Sequence, residues 1–183
     1  MKPSAFRERV RMLREKLADR APDTAWIMQP ENRRYLSRFR ATDTQLTESS
    51  GSLLISETDA LLVTDSRYPT EAEKEAVDFE VITHQKGLLE SLPGILDRLG
   101  TTNLGFEEDF VTWGLHKELG KKLKKSSSRV RLTPLKGLVD GMRQVKEKAE
   151  INALEVSADL MCQILAEVIE SLEPGLTEKE VAW

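Results

Sequence analysis

The sequence is poor in metal-binding and disulfide-forming residues. Its 183 residues include one cysteine, Cys162, and two histidines, His84 and His116. An internal disulfide is therefore impossible, and a zinc site built from several cysteines and histidines is excluded. The shortage of cysteine is typical of proteins in a reducing cytoplasm, which is where we expect this one.

Long hydrophobic runs are also missing. The longest apolar stretches, such as residues 60–63, have the length of a strand, whereas a membrane helix needs roughly 18 apolar residues. The N-terminal segment carries alternating charges and has no apolar h-region, so we expect no signal peptide. These features predict no membrane partner.

Charge of one sign is not in large excess. The formal net charge is −4, with 27 basic and 31 acidic residues, which gives no general attraction to nucleic acid. A local run of lysines between Lys117 and Lys125 lacks interleaved aromatic residues, and lysines at the end of a helix oppose its macrodipole. We therefore predict no nucleic-acid partner.

What the sequence does contain is an alternation of strand and helix patterns. Hydrophobic residues make up 39%, which is enough for a core. Helical spacing follows caps at Ser4, Asn32 and Thr112. Another helix is expected at 91–99, with Pro93 near its start and Gly100 at its end. Strands are predicted at 24–28, 52–56, 60–64, 79–83, 104–106 and 130–132. This alternation predicts an α/β fold with three layers, α/β/α.

The last forty or so residues follow a different pattern. A helix longer than the others is predicted from about Gln144 to Leu172, and Pro174-Gly175 stops it. Thr177 and Glu180 then form a capping box, which opens a further helix, although only three residues follow it. We therefore expect a truncated chain, with a domain over residues 1–140 and a linker and first helical segment of a missing domain over 141–183.

Candidate catalytic residues are few. Asp65 ends a predicted strand next to Arg67, and we interpret it as a carboxylate that caps the turn and pairs with the arginine. The acidic pair Glu107-Glu108 is interpreted as surface charge, as is the pair Glu155 and Asp159. The residues alone thus predict no catalytic group in this chain.

The remaining reactive side chains are also interpreted as non-functional. His84 and His116 are far apart in sequence and are expected to be solvated at the surface. Cys162 is expected to be a small buried side chain, because no histidine lies near it in sequence. No metal ligand is predicted.

Five segments, in order, resemble those of the N-terminal domains of creatinase/prolidase-type metallopeptidases. Residues 30–39 are similar to the family pattern P-x-N-x-x-Y-L-[ST]-G-F, and residues 52–55 followed by 62–68 to a strand pair that ends in T-D-x-R-Y. The other similar segments are Leu104-Gly105-Phe106-Glu107, residues 138–151, and the sequence P-G-L-T-E-K-E-V-A at residues 174–182. The family includes Xaa-Pro aminopeptidases and Xaa-Pro dipeptidases, and creatinase is related to them.

The resemblance implies a fold, an activity and a site. It implies a mixed, ribonuclease H-like sheet in a non-catalytic domain that shapes substrate access and dimerises. The parent protein would hydrolyse the bond before proline with two divalent ions, Mn, Co or Zn, bound in a missing catalytic domain. Implied partners are that domain, a second subunit and short proline-containing peptides. The implied substrate-access residues lie in or beside the loop from Arg40 to Gly51 and are Arg38, Arg40 and Glu48.

The sequence departs from the family pattern at two points. Arg38 stands where the pattern has glycine, which predicts a different turn if that glycine has a positive φ. The following loop is longer than the common F-T-G-S-S-G form. Two other functions stay open: the N-terminal domain of a creatinase-like amidinohydrolase, and a pseudo-peptidase that binds partners without catalysis.

Overall fold

The structure is a computed structural model that describes residues 4–41, 49–125 and 129–182. The chain divides into two units, residues 1–143 and residues 144–183. No helix in the described ranges is both long enough and apolar enough to cross a membrane.

The first unit contains a six-stranded mixed sheet. Its strands are β1 Thr24–Ile27, β2 Ser52–Ser56, β3 Ala60–Thr64, β4 Glu80–Thr83, β5 Asn103–Phe106 and β6 Arg131–Pro134. Their order across the sheet is β4-β3-β2-β1-β5-β6. Strand β2 pairs antiparallel with both of its neighbours, and the other pairs are parallel. All strands except β2 therefore end at the same edge of the sheet, which we call the carboxyl edge.

Helices cover both faces of this sheet. They are α1 Ala5–Ala18, α2 Pro30–Ser37, α3 Pro69–Glu75, α4 Leu88–Leu99, α5 Trp113–Lys125 and α6 Leu138–Gln144. Two of the three predicted caps are present: the Ser4 hydroxyl accepts from the Arg7 N–H at 3.2 Å, and the Thr112 hydroxyl accepts from the Leu115 N–H at 3.2 Å. Gly100 ends α4 in a left-handed conformation, with φ 66°.

Two apolar cores lie on opposite faces, because successive strand residues point to opposite sides of a sheet. Ala25 and Ile27 face a core formed with α1, α2, α3 and α6. Trp26 faces the other core, which is formed with α4 and α5. The predicted three-layer α/β/α arrangement is confirmed.

Several predicted element boundaries are wrong. Helix α2 begins at Pro30 with Gln29 as its N-cap, so Asn32 lies inside the helix and does not cap it. Helix α4 begins at Leu88, three residues before the predicted start, and includes Pro93. Helix α6 was not predicted as a separate element, because its seven residues are too few to show a clear helical period.

Gly105 in β5 marks a close approach between the sheet and two loops. A Cβ atom at this position would lie 2.5 Å from Leu135 Cδ2 and 3.0 Å from Pro22 Cβ. Both distances are shorter than ordinary van der Waals contact. The glycine therefore lets Leu135, which is 1% exposed, pack directly on the strand.

The second unit consists of α7 Lys148–Ser171 and α8 Glu178–Val181. Both helices begin with a capping box, formed by Glu147 and Glu150 in α7 and by Thr177 and Glu180 in α8, as predicted for the latter. All of α7 lies within the described residues, and none of its side chains is buried. Cys162 is exposed, so the prediction that it is buried is wrong.

Candidate functional site

The carboxyl edge of the sheet gathers most of the polar residues that the sequence singled out. Asp65 follows β3, His84 follows β4 and Glu107 follows β5. Because β2 runs in the opposite direction, the segment that precedes it, Ser49 to Gly51, arrives at the same edge. In sheets of this kind, ligands bind outside the carboxyl ends of the strands, which makes this edge the candidate site.

Glu107 is buried at this edge, with 7% of its surface exposed. Its Oε2 accepts from the backbone N–H groups of Met28 at 2.6 Å and Gln29 at 2.7 Å. Its Oε1 accepts from Asn32 Nδ2 at 2.7 Å. The prediction that Glu107 is a surface charge is therefore wrong, because three donors from the β1–α2 region satisfy the carboxyl inside the protein.

The Glu107 contacts extend to helix α6. Asn32 Oδ1 accepts from Arg143 Nη1 at 2.9 Å, and Asn32 Nδ2 lies 3.3 Å from Asp140 Oδ2. Burial raises the pKa of the Glu107 carboxyl; the bonds that it accepts from Gln29, Asn32 and Met28 oppose that rise, and the charge on Asp140 adds to it. This network joins β5, α2 and α6, and its role is to hold these elements together.

A second buried polar residue, Arg33, lies on α2 and is fully inaccessible to solvent. Its Nη1 donates to the Gly51 carbonyl at 2.5 Å, and its Nη2 donates to the Ala41 carbonyl and to Ser50 Oγ, the latter at 2.8 Å. These acceptors belong to the two segments that flank residues 42–48. We call residues 38–41 and 49–51 the two stems.

The predicted substrate-access residues lie on or between these stems. Arg38 and Arg40 are exposed on the first stem, and Glu48 lies outside the described residues. The Arg38 guanidinium carbon is 6.0 Å from the centre of the Phe6 ring. The Arg40 N–H donates to Glu75 Oε2 at 2.8 Å, and Arg40 Nε lies 3.7 Å from Glu75 Oε1. No contact brings Arg38 and Arg40 together among the described side chains.

Arg38 adopts a left-handed backbone conformation, with φ 70° and ψ −8°. The expectation that an arginine here requires a turn without positive φ is therefore wrong. Its N–H donates to the Arg34 carbonyl, as a C-cap residue does. A residue with a side chain pays a steric cost of about 1–2 kcal/mol in this region, which glycine avoids.

We therefore expect Arg38→Gly to stabilise the domain by about 1 kcal/mol, because it removes the steric cost at the C-cap of α2. The measurement is urea unfolding of the wild type and the variant. Arg38→Ala is the matched control, since it removes the guanidinium and keeps the positive φ, and it should not be stabilised. Equal stabilisation by both substitutions would contradict the backbone explanation.

A cleft of about 630 Å³ opens between the carboxyl edge and the neighbouring loops. Ser49 of the second stem lies on its wall, with Asp65, Arg67, His84 and Lys86. Apolar and polar residues from the start of α4 and from α5 also line the cleft: Leu88, Leu89, Glu90, Leu115, Glu118 and Lys122. Charges of both signs on a partly apolar surface suit a ligand that carries both signs itself.

Asp65 plays the structural role predicted for it in this cleft. Its carboxylate accepts from the Arg67 N–H at 2.8 Å and from Arg67 Nη2 at 2.8 Å. The hydrogen bond from the Arg67 side chain lowers the pKa of Asp65, and the nearby His84 contributes in the same direction. Asp65 is therefore an ionised carboxylate paired with arginine at neutral pH, which is unsuited to accepting a proton.

The histidines differ from the prediction in their exposure. His84 is half-buried on the cleft wall. His116 is also half-buried, with its ring stacked on Trp113 at 5.7 Å and tilted against Phe106 at 5.1 Å. Across residues 4–41, 49–125 and 129–182, no three His, Cys, Asp or Glu side chains group closely enough to hold a metal ion.

Sequence reasoning missed Arg33 and Glu107 as organisers of this edge. Arg33 precedes the buried Leu36 by three residues and so lies on the same helical face, which was a usable signal. The only sequence signal for Glu107 was its position directly after a predicted strand. The partners that bury it are 75 to 79 residues away in sequence.

Comparison with known proteins identifies the family. The sequence profile of the Creatinase/Prolidase N-terminal domain matches residues 9–145. The chain is 28% identical over 160 residues to the uncharacterized peptidase YqhT of Bacillus subtilis (strain 168), over 87% of this chain and 42% of that protein. Among solved structures, the Xaa-Pro dipeptidase from Bacillus anthracis has a TM-score of 0.84 and 28% identity, over 96% of this chain and 46% of that one.

A third relative is similar in extent to the first unit. It is the N-terminal domain of the cytoplasmic peptidase PepQ from Mycobacterium tuberculosis H37Rv, with a TM-score of 0.63 and 30% identity, over 73% of this chain and 97% of that one. By contrast, the chain spans less than half the length of the Bacillus subtilis and Bacillus anthracis proteins. With the profile matched across most of the sequence and the fold in agreement, the chain belongs to the creatinase/prolidase N-terminal domain family.

Proposed function

We propose that this chain is the non-catalytic N-terminal domain of an Xaa-Pro peptidase, an aminopeptidase or a dipeptidase. It would shape substrate access to a catalytic site formed by other residues and would take part in a homodimer. The observation that carries the proposal is the family match over residues 9–145, together with relatives described as peptidases. The description of PepQ as cytoplasmic supports the same location for this protein.

The geometry of the carboxyl edge supports a role in access. Exposed cations, Arg38 and Arg40, lie on a stem that a buried arginine fixes. The cleft whose wall includes Ser49 of the second stem carries both charge signs, as does a short peptide with its amino and carboxyl termini. Contacts of this kind help to orient a small charged substrate without taking part in the reaction.

The proposed chemistry needs two divalent ions, which are the family's means of activating water and polarising a carbonyl. The described residues of this chain do not supply a ligand set for such ions. We therefore assign no reaction step to them and expect the 183-residue chain to be inactive towards Xaa-Pro peptides in Mn²⁺ or Co²⁺. Cleavage of such peptides by this chain alone would contradict the proposal.

The decisive test uses the polypeptide encoded by the whole reading frame that contains these residues. With Mn²⁺, we expect it to cleave the bond before proline in short peptides and to behave as a dimer in analytical ultracentrifugation. Arg40→Ala should raise KM about fivefold with little change in kcat, because it removes a binding contact. Arg34→Ala, which removes an exposed arginine on α2, is the matched control.

The other outcomes separate the alternatives. Hydrolysis of creatine without peptide cleavage would assign the protein to the amidinohydrolases. Absence of both activities in a folded, metal-loaded protein would favour a pseudo-peptidase.

A further inference from the structure

Arg33 joins the two stems through its guanidinium. Among the described residues, its N–H groups donate to the carbonyls of Ala41 and Gly51 and to the hydroxyl of Ser50. One acceptor precedes residues 42–48 and the other two follow them. One side chain therefore bridges the two stems.

The stems are also tied to each other and to the sheet. Ser50 Oγ lies 3.2 Å from the Ala41 carbonyl oxygen, and Thr64 Oγ1 in β3 donates to the Ser50 carbonyl at 2.5 Å. A Cβ atom at Gly51 would lie 3.2 Å from the Val63 carbonyl oxygen, so the second stem lies directly against β3. The contacts of Arg33 thus help to hold the two stems in place relative to each other and to the sheet.

Arginine is suited to this place for a specific reason. Buried carbonyl groups need donors, and the planar guanidinium presents several N–H groups in a fixed geometry, whereas lysine offers one flexible ammonium. The Arg33 guanidinium carbon also lies 5.3 Å from the centre of the Phe39 ring. Phe39 belongs to the first stem and lies between Arg38 and Arg40.

The stems carry the residues that would meet a substrate. Arg40 is adjacent to Ala41, whose carbonyl binds Arg33. Ser49 is adjacent to Ser50, which also binds Arg33, and it lies on the cleft wall. We propose that Arg33 is a positioning residue, which does not touch substrate but sets the placement of Arg40 and Ser49 and thereby peptide affinity.

This inference rests on the proposed function for its link to peptide affinity, and its structural part is testable on the 183-residue chain. The variants are Arg33→Lys and Arg33→Met, and Arg34→Met on the exposed side of α2 is the control. Hydrogen exchange at the backbone amides of residues 38–41 and 49–51 should be about tenfold faster in both Arg33 variants, because these segments lose their shared donor. The amides of α4 and β5 should exchange as in the wild type, which shows that the variants are folded.

The functional part uses the peptidase encoded by the whole reading frame. Arg33→Lys should raise KM for short Xaa-Pro peptides about fivefold with kcat within about twofold of the wild type. The combined variant Arg33→Lys with Arg40→Ala should raise KM by less than the product of the two single effects, because part of the effect of Arg33 passes through Arg40. A purely structural residue would lower the amount of active enzyme and leave KM unchanged.

Three results would overturn the proposal. Unchanged exchange in the stems of both variants would show that Arg33 does not fix them. Faster exchange with a wild-type KM, in an active enzyme, would show that the stems do not set affinity. Faster exchange throughout the domain, in α4 and β5 as well as in the stems, would show that Arg33 stabilises the whole core and has no specific effect on the stems.

An inactive wild-type polypeptide would contradict the proposed function instead, and the exchange result would still decide whether Arg33 holds the stems.

Discussion

Replacing Glu107 with alanine is expected to lower the free energy of unfolding by about 3–5 kcal/mol. The change leaves the N–H groups of Met28 and Gln29 without their acceptor and removes the shortest of the hydrogen bonds that the Asn32 amide donates. Each buried donor that loses its partner costs about 1–3 kcal/mol. The measurement is urea or thermal unfolding at neutral pH.

Asp109→Ala is the matched control for this prediction. Asp109 lies two residues further along the chain and is exposed, so its loss should change the stability by less than about 0.5 kcal/mol. If Glu107→Ala were as mild as this control, the network between β5, α2 and α6 would not stabilise the domain.

The pH dependence of stability provides an independent check on Glu107. Its pKa is raised in the folded protein, chiefly by burial, so the folded state favours the protonated carboxyl more than the unfolded state does. The stabilisation from protonation is complete below the unfolded-state pKa, near 4.5, and is lost as the pH rises through the folded-state pKa. The stability of the wild type relative to Glu107→Gln should therefore fall as the pH rises above the unfolded-state pKa.

Asp65 should show the opposite sign. Its pKa is lowered in the folded protein by the hydrogen bond from Arg67, so its contribution is present above the unfolded-state pKa and is lost as the pH falls through the folded-state pKa. The stability of the wild type relative to Asp65→Asn should therefore fall on acidification. The same sign for both residues would contradict the burial of Glu107.

Gly105→Ala is expected to destabilise the domain by about 2–3 kcal/mol, as overpacking of a core does. The new Cβ would lie 2.5 Å from Leu135 Cδ2, so Leu135 or the strand would have to move. The measurement is chemical unfolding of the variant, the wild type and a control, Gly120→Ala. Gly120 lies in α5, and a Cβ added there would meet no atom within 4 Å, so its substitution should stabilise by up to about 1 kcal/mol.

A double variant tests the cause of the Gly105 effect. Leu135→Ala alone removes a buried side chain and should cost about 2–5 kcal/mol. If the clash is the cause, the pair Gly105→Ala with Leu135→Ala should be less destabilised than the sum of the two single variants. Strict additivity would point to a different origin, such as the twist of β5.

The three-layer fold could be predicted because its information is local. The spacing of Val10, Leu13 and Leu17 reports one buried helical face, and the runs at 52–56 and 60–64 report strands directly. Most errors in the boundaries have local causes too. Pro93, for example, was expected near the start of a helix but lies inside α4. The order of the strands, by contrast, depends on contacts between distant segments.

The organisation of the carboxyl edge could not be predicted in the same way. Whether a charged side chain is buried depends on partners that fold against it, and for Arg33 most of these are backbone carbonyls, which leave no mark in the sequence. Glu107 similarly depends on N–H groups of the β1–α2 connection. Arg38 was misjudged for a related reason, since surrounding structure can hold a non-glycine residue at positive φ.

The reversed direction of β2 has a consequence for how this domain can diversify. A fully parallel strand at this place would receive its incoming connection at the opposite edge of the sheet. Because β2 is reversed, that connection joins those that follow β3, β4 and β5, and a change of its length between the two stems need not alter the strand register or the core residues Phe39 and Ala41. Insertions and deletions between the two stems are thus a route by which evolution can alter the carboxyl edge while the scaffold stays constant.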